Sequence, residues 1–213
     1  MQIANRVVES NNWVLLTLLF GLFLLFLLKK INAELLLNYS KAFFIKGFVE
    51  KKAQEKVSFF SLTSLLLFLF SGVVLALFSC LIAENFIRDQ QVDFQFFIYI
   101  LIGILLYILA SYFIEYLVIR IFSLKNTLGY FMISKRIYLF TFSIWLFPFL
   151  ILSFYSFSSG YVALAVAVFM FLLSLILIFS NNKNLIVSEL FYFILYLCIL
   201  KIAPLLFIYK IVF

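Results

Sequence analysis

Lys201 is the residue whose chemistry is hardest to reconcile with its neighbours. It lies inside the apolar run 188–209, three residues before Pro204. An ammonium in the hydrocarbon of a bilayer costs about 2.5–3.5 kcal/mol on insertion scales, so it needs a partner or an escape. If the run is a helix that leaves the membrane near residue 209, Lys201 lies about 10–12 Å from that end, at 1.5 Å per residue. Helical side chains lean toward the N-terminus, which turns this one away from the nearer surface. Pro204 has no N–H for the carbonyl of Leu200, so a kink and an uncovered carbonyl are expected beside the lysine. Lys201, Pro204 and Leu200 therefore form a candidate intramembrane polar site. Three chemistries fit it: an anion or lipid-headgroup site, an ion pair with a partner protein, and an ammonium capped by internal carbonyls, tyrosines or water.

Two other ionisable residues fall within or at the edge of apolar runs, Glu115 and Glu189. With Arg120 they make a candidate pocket facing the cytoplasm. The plainer reading is two interfacial carboxylates satisfied by Arg120, Lys183 or water. Other reactive chemistry is sparse. The chain has no histidine, the side chain best suited to proton transfer near neutral pH. No His/Cys/Asp/Glu spacing suits a metal. Phosphate-loop, nucleophile-elbow and zinc-peptidase patterns are lacking. These gaps argue strongly against a metalloenzyme or an ATPase, and less strongly against a proton-coupled transporter. The expectation is a non-enzymatic chain without cofactor. Cys80 and Cys198, the only cysteines, read as small hydrophobes.

The elements that must position these residues are six apolar runs, at about 12–28, 58–82, 95–119, 137–156, 161–179 and 188–209. About 20 apolar residues of helix cross a bilayer core. Hydrophobic residues make up 67% of the 213 and charged ones 12%, far from soluble averages. Continuous runs favour helices over the alternating strands of a barrel. The fold class expected is all-α, a single polytopic domain over 1–213 with six transmembrane helices.

Cytoplasmic loops are enriched in Lys and Arg. Twelve of the 16 basic residues lie in the first, third and fifth breaks, which places both termini outside, periplasmic in a bacterium. The net charge of +7 therefore reads as an orientation signal, with no nucleic-acid partner. The first run reads as a retained helix opened by Trp13 at the headgroup level. Break 29–57 contains an amphipathic stretch, 33–50, that fits an interfacial helix. There Phe43, Phe44 and Phe48 would enter the acyl boundary, and Lys41, Lys46, Lys51, Lys52 and Lys56 are candidate contacts to anionic lipid headgroups. An ordinary loop packed on the bundle fits equally well. Pro148 is expected to kink the fourth run, and Ala163, Ala165 and Ala167 give the fifth a weak small-residue face.

The start Glu-Ser-Asn-Asn-Trp at 9–13 and the ending Phe-Tyr-Phe-Ile-Leu-Tyr-Leu-Cys-Ile-Leu-Lys-Ile-Ala-Pro-Leu-Leu at 191–206 resemble an uncharacterised integral-membrane family of Bacteroidota, a domain of unknown function. The resemblance extends over nearly the whole chain. It implies a Gram-negative inner membrane and brings no established activity or functional residues with it. The function expected is a non-enzymatic inner-membrane subunit or scaffold of a cell-envelope complex, with other membrane or envelope proteins as partners. The competing expectation is a small transporter or lipid-handling protein that uses Lys201.

Overall fold

A computed structural model describes residues 12–43, 61–86, 92–122, 127–155 and 161–181. Among them are six helices and no strand: α1 Asn12–Ile31, α2 Ala33–Ser40, α3 Leu62–Phe86, α4 Phe94–Phe122, α5 Thr127–Tyr155 and α6 Tyr161–Asn181. Four contain segments long and apolar enough to cross a membrane, Asn12–Ile31, Leu62–Asn85, Phe94–Glu115 and Met132–Tyr155. The apolar stretch of α6, Leu164–Leu177, is shorter. The chain is thus a membrane protein whose described elements are all helices. The sixth apolar run, 188–209, lies outside the described residues.

Local chemistry sets several of the helix ends. Lys29 and Lys30 occupy the last turn of α1, where cations complement the carbonyl end of the helix dipole. Asn32 then caps α2, its Oδ1 accepting the Leu35 N–H at 2.9 Å, which satisfies a donor the new helix would otherwise leave open. Ser61 caps α3 in the same way, Oγ accepting the Ser64 N–H at 3.3 Å.

Helix α3 is the hub, packed against α1, α4 and α5, while α6 packs on α5. Leu18, Phe70, Val74, Leu77, Leu146, Phe147 and Leu150 form the main core. Glycine allows two close approaches in it. A Cβ on Gly21 would stand 2.8 Å from the Phe147 ring, and one on Gly72 would stand 2.6 Å from a Leu105 methyl. Phe147 also meets Phe70 edge-on, with centroids 5.4 Å apart, a favourable ring arrangement.

The structure differs from the sequence expectation in two places, the start of α5 and the placement of Phe43. Helix α5 begins at Thr127, ten residues before the expected start at 137, so Lys135 and Arg136 are helical residues. Each finds a partner on α4, as described below, and a continued helix keeps the backbone hydrogen-bonded at membrane depth. Trp13, expected at the headgroup level, packs against Phe97 and Phe94 at the start of α4, with centroids at 5.7 and 6.4 Å, which is compatible with that expectation. Phe43, expected in the acyl boundary, stacks on Tyr138 of α5 at 6.1 Å, because it joins the cluster that buries Tyr39 and Ala42. Phe44 and Phe48 lie outside the described residues, and α5 continues through Pro148. Of the alanines singled out in the fifth run, Ala167 is buried in the core and Ala165 is exposed.

Candidate functional site

The C-terminal part of α4 and the N-terminal part of α5 meet through charge. Lys135 Nζ donates to Glu115 Oε1, whose side chain is 1% exposed against 32% for the lysine. One residue on, the Arg136 guanidinium lies 4.8 Å from the centroid of the Tyr112 ring, within cation–π range. Tyr112 and Glu115 are three apart on α4 and share a face. A carboxylate so fully buried is tolerable only when compensated, and the lysine supplies that compensation.

Arg120 is placed differently from Glu115. Five residues along a helix turn the side chain by about 140°, so the two do not share a face. Arg120 is exposed and continues an outward stripe through Phe113 and Leu117, at the i, i+4, i+7 spacing of one helix face. Within the candidate pocket of Glu115, Arg120 and Glu189, the close contact shown is therefore the one between Glu115 and Lys135. Glu189 lies outside the described residues, as do Lys201, Pro204, Leu200, Lys46, Lys51, Lys52 and Lys56.

The second polar junction at this end of the bundle joins α2 to α5. Trp145 Nε1 donates to the Ser40 carbonyl at 2.9 Å. The Thr141 hydroxyl lies 2.9 Å from the Tyr39 carbonyl and also from that of Ile137 on its own helix. The last carbonyls of a helix have no partner within it, and at membrane depth each unmet group costs several kcal/mol. Trp145 meets this need at Ser40, while the Tyr39 carbonyl, close to Thr141, also accepts the Ala42 N–H at 3.2 Å. Thr141 and Trp145 stand five and nine residues beyond Arg136, about 7 and 13 Å along the helix. The carbonyl end of α2 is thus received within the span. Tyr39 and Ala42 are buried with Leu28, Leu67, Ile137 and Phe140, and the Tyr39 ring meets that of Phe140 edge-on at 5.8 Å.

Chemically, the first junction is a neutralised ion pair beside a stacked guanidinium, and the second is a helix cap. Both link elements. Among the described residues no group of three or more His, Cys, Asp or Glu could hold a metal ion. Cys80 is buried and free. Sequence reasoning misses Lys135, whose charge reads as part of a connection. A hairpin signal was present: Glu115 precedes residues 123–126 by eight positions, and Lys135 follows them by nine. Residues equidistant from the connection of an antiparallel pair stand at matching depth.

The family model described as Domain of unknown function (DUF4271) matches residues 14–212. No curated protein and no solved structure matches the chain.

Proposed function

The chain belongs to the DUF4271 family, and we propose that it is a non-enzymatic subunit or scaffold of a complex in the inner membrane of the cell envelope. The observation that carries this reading is the use made of the interior hydroxyls. Thr17, Ser71, Ser143, Ser153 and Ser174 are buried, and each donates to a carbonyl three or four residues earlier in its own helix. A transport route needs polar groups turned toward a cavity or a broken helix. Hydroxyls closed onto their own helices fill space, let neighbouring helices approach and offer a solute nothing. The two polar junctions fasten helices in the same spirit.

On this reading the protein has six spans with both termini periplasmic, supported by the bias of twelve of 16 basic residues to alternate breaks. The Bacteroidota source suggested by the sequence belongs to the same proposal. A carboxylate of a partner protein then answers Lys201. Purification of the native protein in mild detergent, followed by mass spectrometry, tests the reading. The expected result is at least one other membrane or envelope protein at fixed stoichiometry, reduced in Lys201→Met. A lone monomer overturns it. Normal partner retention in Lys201→Met, with loss of a transported or bound lipid, would favour the transporter or lipid-handling alternative.

A further inference from the structure

The outward surface of α2 and the end of α1 differ from the lipid-facing sides of the longer helices. Lys29, Lys30 and Lys41 are all exposed there. Ile31 and Leu37, also exposed, lie between them in sequence. Glu34 is the acid of residues 29–41, so this stretch carries three lysines and one carboxylate. The opposite surface of α2 is fixed: Tyr39 is buried, and Trp145 and Thr141 hold the carbonyl end.

Direction matters for Lys41. It is the C-cap of α2, with a helical backbone conformation, φ −90 and ψ −2. Helical side chains lean toward the N-terminus, so Lys41 leans back over Leu37, four residues earlier, toward the end of α2 that follows Lys29 and Lys30. Its stem can lie on the leucine while the ammonium reaches the headgroup level, the usual snorkelling geometry.

We infer that this face binds the headgroup phosphate of an anionic phospholipid, with Lys29, Lys30 and Lys41 as the donors and Ile31 and Leu37 lying against the acyl chain. A basic rim beside apolar side chains matches the two halves of a phospholipid, whereas a free phosphate would leave the apolar half unexplained. Docking of α2 by Trp145 pre-forms the site, because it fixes the backbone next to Lys41 on a helix that packs against α1. The inference is independent of membership in a complex.

The test uses the full chain in nanodiscs, with native mass spectrometry of retained phosphatidylglycerol and phosphatidylcholine. The wild type is expected to prefer phosphatidylglycerol. Lys41→Gln should reduce that preference by about fivefold, the factor one surface cation contributes near an anionic leaflet, and Lys41→Arg should restore it. Trp145→Phe keeps every lysine yet should also reduce the preference. Arg120→Gln, which removes an exposed cation from α4, should leave it unchanged. Equal retention of both lipids by the wild type overturns the inference. So does an equal loss in Arg120→Gln, which would mark diffuse charge attraction. Displacement of phosphatidylglycerol by millimolar inorganic phosphate would mark a soluble-anion site and overturn it as well.

Discussion

Helices α4 and α5 are each 29 residues long, adjacent in sequence and similarly apolar, yet they live in different surroundings. Over its most apolar stretch α5 is 56% buried, against 11% for α4. Helix α5 touches α2, α3 and α6, and α4 rests chiefly on α3. In lipid, hydrophobicity does not separate inside from outside, because acyl chains are as apolar as leucine. Buried hydroxyl side chains mark the separation here. Helix α5 buries Ser134, Thr141, Ser143 and Ser153, whereas the outward side of α4 shows Tyr99, Leu106, Tyr107 and Phe113.

Substitutions on the two helices can break or sharpen that contrast. The largest effect is expected at Leu146, which is fully buried in α5. Leu146→Ala should destabilise the protein by roughly 2–5 kcal/mol through lost packing and a cavity, read by unfolding in mixed micelles. Lys135→Met comes next, because it takes the ammonium from a buried carboxylate. Breaking a fully buried pair costs more, but the partial exposure of Lys135 lowers the expected loss to about 2 kcal/mol. A double-mutant cycle with Glu115→Gln should show coupling of the two sites. Trp145→Phe removes one neutral hydrogen bond and should cost about 1 kcal/mol, seen first as faster proteolysis near α2. Leu106→Ala on α4 stays within about 0.5 kcal/mol. A loss there as large as at Leu146 would mean that α4 is covered by protein, and would erase the contrast.

The class of the protein was legible in hydropathy, since runs of about 20 apolar residues have one common solvent. Pairing was harder to read. Lys135 and Arg136 looked like loop residues because charge usually ends a span, and only their partners Glu115 and Tyr112 explain why α5 begins earlier. The stretch 33–50 was balanced between an interfacial helix and a packed loop. Through its described part, 33–43, the structure shows a short helix with one face on α5 and an exposed Lys41 just past its end. No local pattern foretells that Trp145 will reach the Ser40 carbonyl, because their separation of 105 residues is bridged only by tertiary packing. The hydroxyl-rich side of α5 is readable in sequence and more informative than the alanines of the fifth run, of which Ala165 is exposed.

The central structural claim is that α5 organises this end of the bundle by receiving α2 on one side and α4 on the other. Hydrogen–deuterium exchange of residues 33–43 in lipid nanodiscs tests it most directly. The account predicts slow exchange in the wild type and an acceleration of roughly fivefold in Trp145→Phe, the equivalent of about 1 kcal/mol. Exchange at the rate of an unstructured segment in the wild type, unchanged in Trp145→Phe, would contradict it.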